Sequence, residues 1–160
     1  AAANPIEGRY DMEKSIQNEM RMTFPSLSVN EALARSCAAA FCAQCNPTFD
    51  ELSDIKCAVS EAVTNAIVHG YRDEVGEISL AMRILPDRVL RIEIRDKGCG
   101  ISDIERARQP LFTTDPAGDR SGMGFTVMEN FMDSLRVVST PGKGTKVVLT
   151  KKLSALPWVR

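Results

Sequence analysis

Leu52, Ile55, Val59, Ala62, Val63 and Ala66 recur at three- and four-residue steps, which predicts a long amphipathic helix from Asp50 to His69. Thr48 and Glu51 have the spacing of a capping box at its start, and Gly70 suits its end. Ahead of it, the polar–apolar alternation of Glu19 to Phe24 predicts a short strand. Ser28 and Glu31 form a second capping box before a helix from Val29 to about Gln44, which Asn46-Pro47 breaks. Beyond the long helix, Glu77 to Leu85 and Val89 to Arg95 flank a turn at Pro86-Asp87. Leu90, Ile92 and Ile94 alternate there with Arg91, Glu93 and Arg95, the mark of a half-buried strand in an antiparallel pair. Asp96 to Gly100 bends sharply, and Ser102 opens a short helical piece to about Arg108. Gln109 to Ser121 has no period and holds Pro110, Pro116 and Gly118, which predicts a lid or binding loop. A helix over Gly122 to Met132 and strands over Leu135 to Ser139 and Thr145 to Lys152 close the pattern. The elements predict an α+β fold, a two-layer sandwich with about three helices on one face of a mixed, mostly antiparallel sheet of about five strands.

The 160 residues are 44% hydrophobic and 26% charged, which fits one globular domain with a proper core. A net charge of −1 supplies no broad basic field for nucleic acid or an anionic membrane. No apolar run reaches the roughly 18 residues of a membrane span, and no secretory signal is visible, so a cytoplasmic chain is expected. Ile6-Glu7-Gly8-Arg9 reads as the remnant of a cleavable tag. Residues 1–11 are therefore set apart from a domain over residues 12–152, with Met12 a natural start and a tail over 153–160 that carries Trp158 without an assigned place. The five cysteines are an odd set for a disulfide framework. Cys42-x-x-Cys45 alone has metal or redox spacing, but no second pair accompanies it, and ordinary half-buried thiols are expected.

Candidate chemistry begins on the long helix. Glu61 and Asn65 lie four apart and share a face, where an amide oxygen could ligate Mg²⁺ and a carboxylate could take a proton from a hydroxyl. The same spacing also describes an ordinary solvated face. Asp96-Lys97-Gly98-Cys99-Gly100 reads D-x-G-x-G at a strand end; its carboxylate could accept from an exocyclic amine while its glycines admit a flat ring. A plain β-turn has the same composition. Gly122-Met123-Gly124-Phe125 opens a helix, where free N–H groups and the helix dipole could cradle phosphate. Gly144-Thr145 starts the last strand, and its hydroxyl could bond the Asp96 carboxylate or simply begin the strand.

The order of these motifs is more specific than any one of them. E-x-x-x-N, D-x-G-x-G, G-x-G-F and G-T in succession resemble the Bergerat-type ATP-binding domain shared by DNA gyrase, histidine kinases and the mismatch-repair ATPases. Closer still, SEAVTNAIVHGY (Ser60 to Tyr71), ARQPLFTT (Ala107 to Thr114) and RSGMGFTVMENFMD (Arg120 to Asp133) resemble the anti-sigma serine kinases of sporulation. The resemblance spans roughly Asn18 to Lys152. It implies ATP or ADP with Mg²⁺ as cofactors, Asn65 as the metal ligand and Glu61 as the general base for an incoming serine hydroxyl. It implies Asp96 on the adenine amine, Gly98 and Gly100 shaping the pocket, and Thr145 supporting it. Thr114, Gly122, Met123, Gly124 and Phe125 would surround the nucleotide, with Arg120 on the γ-phosphate; a solvated lid residue is the other account of Arg120. Asp115 and Asp119 depart from the Lys and Glu expected of such proteins, and both fall in the lid.

Two protein partners are implied: a sporulation sigma factor held inactive, and an anti-anti-sigma protein phosphorylated on serine. A homodimer is implied as well. The single histidine, His69, reads as structural, and no phosphoacceptor helix pair precedes the long helix, so the chain is expected to act in trans. Arg35, amid Ala32, Leu33, Ala34 and Ala38, could anchor a docking face or merely fringe the core. The alternative in another class is a nucleotide-dependent protein-binding module without kinase turnover. A gyrase-type ATPase fragment ranks below both, because no transducer domain follows.

Overall fold

The computed structural model describes residues 15–112 and 122–154. In chain order the elements are β1 (Asn18–Pro25), α1 (Val29–Ala43), α2 (Phe49–Asn65), β2 (Glu77–Leu85) and β3 (Val89–Asp96), then α3 (Ile104–Ala107), α4 (Gly124–Phe131), β4 (Ser134–Thr140) and β5 (Gly144–Lys152). The five strands form one sheet in the order β1-β2-β3-β5-β4, and all four neighbour pairs are antiparallel. This is the α+β architecture that the element pattern predicts.

Period-two alternation sorts the sheet. Leu80, Met82, Leu90, Ile92 and Leu149 are fully buried and share one core with Ile55, Ala58, Val59 and Val63 of α2. Each such Leu or Ile contributes roughly 1.5–3 kcal/mol over leaving it in water. The alternate positions carry ion pairs instead: Arg83 bridges Glu19 and Glu93, and Arg91 also holds Glu93. Helix α2 packs against both α1 and α4, so its far end meets the start of α4.

The capping box at Thr48 forms in full. Its side chain accepts from Glu51 N–H, and Glu51 accepts from Thr48 N–H at 2.8 Å. The second box, at Ser28, does not. Ser28 is already helical at φ −56° and ψ −32° and makes no side-chain cap bond. Leu27 C=O accepts from Asn30 N–H at 2.9 Å, so the turn begins a residue earlier, and the Glu31 carboxylate lies 3.3 Å from Arg35 Nε instead. Likewise the short α3 begins at Ile104, not Ser102, because Asp103 is its N-cap and accepts from Arg106 N–H at 3.0 Å.

The long helix also ends differently from its sequence pattern. Regular α-helix stops at Asn65, and Ala66–Gly70 form a π-helical turn that Tyr71 N–H closes onto Ala66 C=O at 3.1 Å. Tertiary anchors hold it: Cys99 N–H donates to Gly70 C=O, while the Tyr71 hydroxyl donates to Glu77 C=O and accepts from Lys97 N–H. Single π turns inside helices concentrate at functional sites. This one begins just after Asn65.

Cys42 is fully buried, and burial pushes its thiol up to about 12, whereas Cys45 is only partly covered. Leu153 is buried too, with its N–H on Arg88 C=O, so the last described residues still pack on the domain. Among the described residues no helix is long and apolar enough to cross a membrane.

Candidate active site

The end of α2, the bend after β3, the start of α4 and the first residues of β5 enclose a cleft of about 490 Å³. That is within the size range of small-molecule sites. Glu61, Asn65, Asp96, Gly100, Gly122, Met123, Gly124, Phe125 and Thr145 all line it, so segments far apart in sequence converge on one cavity. Thr114 and Arg120 lie outside the described residues, as do Asp115, Asp119 and Trp158.

Asp96 ends β3 and is 6% exposed. Burial raises its carboxyl above the ordinary range, and N–H donation from Gly98 and Thr145 works against that shift. Gly98 N–H reaches Oδ1 at 2.9 Å. Gly98 does not line the cleft; it stands behind it, where a Cβ would fall 2.1 Å from Gly70 O. Thr145 touches Asp96 through its main chain, while its hydroxyl pairs with Ser139 Oγ at 2.8 Å. The alcohol is thereby committed to holding β4 and β5 at the rim.

Glu61 and Asn65 sit one turn apart on α2 and face Gly124. A Cβ there would lie 3.0 Å from Glu61 Oε2 and 3.3 Å from Asn65 Oδ1. Gly122, at φ +67°, presses against the backbone of Leu111 and Phe112, so a side chain has no room at that turn. Met123 precedes α4 without a side-chain cap, leaving the first turn to be satisfied by something other than its own N-cap. Among the described residues no cluster of three His, Cys, Asp or Glu could hold a metal by itself. The donor set fits Mg²⁺, which takes one or two protein oxygens and completes its shell with phosphate and water. Asn65 Oδ1 is a neutral hard oxygen on the cleft wall that could serve as such a donor.

Several cleft residues escaped the sequence pattern. His69, Arg72, Asp103, Arg106 and Phe112 line it as well. The Arg106 guanidinium carbon lies over the Phe112 ring, 5.0 Å from its centroid. Only Phe112 falls in the aperiodic stretch; the others lie at helix ends or on a helix of four residues, too short for a period to show which side chains turn inward. Arg35 is absent from the cleft; it is half-exposed on α1 beside Glu31. Ala34 and Ala38 face the core, so the exposed apolar neighbours of Arg35 are Ala32 and Leu33.

A buried carboxylate, an acid–amide pair and the start of a helix thus share one cleft. Residues 24–151 match the model of the histidine kinase-like ATPase domain. The anti-sigma F factor of Bacillus subtilis (strain 168) is 54% identical over 140 residues, covering 87% of this chain and 95% of that protein. The anti-sigma F factor of Oceanobacillus iheyensis is 53% identical over 139 residues, with the same coverage of each. Among solved structures, the RsbU and RsbW domains of Rv1364c from Mycobacterium tuberculosis superpose with a TM-score of 0.65 at 22% identity, over 88% of this chain and 34% of that one. The chain belongs to the anti-sigma F factor family of histidine kinase-like ATPase domains.

Proposed function

We propose that this protein is a cytoplasmic anti-sigma factor that binds Mg-ATP in the cleft and phosphorylates an anti-anti-sigma protein on serine. Its second partner is a sporulation sigma factor, which it holds inactive, and it acts as a homodimer. The observation that carries the proposal is the placing of Glu61 and Asn65 against Gly124 in a cleft that buried Asp96 also lines.

In this assignment Asp96 accepts from the adenine amine, and Gly98 and Gly100 hold the bend that admits the ring. Gly122, Met123, Gly124 and Phe125 offer backbone N–H groups to the phosphates at the start of α4. Thr145 braces the Asp96 carboxylate through its N–H. Asn65 Oδ1 would hold Mg²⁺, which would supply charge neutralisation to the phosphates. Glu61 orients the serine hydroxyl and takes its proton as the serine oxygen bonds to the γ-phosphorus and the bond to ADP breaks. By the resemblance of the motifs, Thr114 and Arg120 are assigned to the phosphates, Arg120 to the γ-phosphate. Arg35 on α1 serves docking rather than chemistry, consistent with its half-exposed place outside the cleft beside Glu31.

The experiment mixes the chain with Mg-ATP and a candidate anti-anti-sigma protein and looks for phosphoserine by mass spectrometry. Phosphoserine on the partner that disappears with Glu61→Ala is the expected result. Nucleotide binding without any phosphorylated partner would favour a binding module that does not turn over.

A further inference from the structure

The described lining of the cleft carries three carboxylates, Glu61, Asp96 and Asp103, against two guanidinium groups, Arg72 and Arg106. A polyphosphate placed there meets repulsion unless cations are aimed at its own end of the cleft. Arg72 is not so placed. It comes two residues after Gly70, where a Cβ would fall 3.0 Å from the Asp96 carboxyl, so its backbone enters the cleft from the base end.

Arg106 is at the other end. Its guanidinium lies over the Phe112 ring, and Phe112 contributes the carbonyl oxygen that would meet a Cβ on Gly122 at 2.8 Å. Gly122 leads into the α4 start, where the phosphates are assigned. The neighbouring arginine behaves differently: Arg108 donates to Glu129 on α4 and is occupied. Among the described residues Arg106 has no carboxylate within ion-pair distance, and its backbone N–H, not its side chain, satisfies Asp103. Cation–π attraction to the ring steadies the guanidinium and uses none of its N–H donors, which stay available to phosphate oxygens.

We propose that Arg106, steadied by Phe112, is a nucleotide-binding residue that contacts the phosphates of ATP and ADP, and that it sets the preference of the cleft for phosphorylated over unphosphorylated adenosine. The assignment rests on the nucleotide cleft proposed above, at a residue outside its motifs.

The test is calorimetric titration of the parent, Arg106→Gln, Arg106→Lys and Asp96→Asn with adenosine, ADP and Mg-ATP. Arg106→Gln should lose roughly tenfold in affinity for ADP and Mg-ATP and bind adenosine unchanged, the size expected for one charge-assisted contact. Arg106→Lys should recover part of that loss, since it restores charge but not the planar fork. The loss should also shrink as salt rises. Equal losses for adenosine and ADP, or no loss at all, overturn the proposal in favour of a merely packed side chain. The cleft assignment fails separately, and takes this proposal with it, if the parent binds none of the three or if Asp96→Asn binds adenosine as the parent does.

Discussion

Glu61 and Asn65 reach Gly124 from the same side, with Glu61 Oε2 at 3.0 Å and Asn65 Oδ1 at 3.3 Å from where its Cβ would be. Both atoms end flexible side chains, so Gly124→Ala can fold by pushing them aside. The expected outcome is a thermal midpoint close to the parent with clearly slower phosphoryl transfer, read by scanning calorimetry and phosphoserine formation. Parent-like transfer in Gly124→Ala would show that this contact has no functional meaning.

The two α2 residues should separate cleanly in their effects. Glu61→Ala is expected to slow transfer roughly 10²- to 10⁴-fold while ATP still binds, because a positioned base has that worth. Asn65→Ala should instead weaken nucleotide binding in magnesium and leave binding in chelator nearly unchanged. Titrations with and without magnesium, run beside the transfer assay, distinguish the pair.

Gly98→Ala tests the bend itself. Its Cβ would sit 2.1 Å from Gly70 O, a backbone atom fixed by the π turn, so the clash has no cheap escape. Forced overpacking of this kind costs typically 1–3 kcal/mol. Denaturant unfolding should show that loss, together with weaker nucleotide binding because Asp96 loses the Gly98 N–H.

Asp96 links the site to pH. Burial raises its carboxyl in the folded state, so the folded chain binds more protons than the unfolded one between the ordinary aspartate value and the raised one. Its charge therefore opposes folding above that window and not below it. Asp96→Asn should be at least as stable as the parent at neutral pH, with the gap narrowing toward acid, while nucleotide binding is lost. A parent that is the more stable at neutral pH, with a gap that ignores pH, would contradict this.

Glu51 works in the opposite sense. Burial alone would raise its carboxyl, but N–H donors from Ser154 and Thr48 outweigh this and hold it below the ordinary glutamate range. Its contribution is therefore complete above about pH 4.3 and fades as pH falls through the lowered value. Thr48→Ala should cost about 1 kcal/mol at neutral pH. Glu51→Gln should flatten the acid limb of the stability profile, measured by urea unfolding from pH 3 to pH 7.

Much of the fold was legible because local rules and tertiary demands agree. β2 and β3 alternate with period two, and the pattern placed the first strand as Glu77 to Leu85 and the second as Val89 to Arg95, one residue short of Asp96. The Thr48 cap was legible because both partners are local. Ser28 misled because its letters permit a capping box while Leu27 begins the turn before it. Arg106 and Phe112 were invisible, since a helix of four residues and the irregular stretch after it show no period to tell which side chains face inward.

By itself the sequence determined the elements, their amphipathic faces and the motif order, since these follow from spacing within a few residues. It placed Asp96 at a strand end and a helix start at Gly122-Met123-Gly124. The tertiary structure alone decided that Asn65 is followed by a π turn, because the bonds at Gly70 and Tyr71 come from residues around 77 and 97–99. It also decided that Thr145 meets Asp96 through its backbone and gives its hydroxyl to Ser139. Contacts across a sheet depend on which strands become neighbours, and that is settled only when the whole core packs.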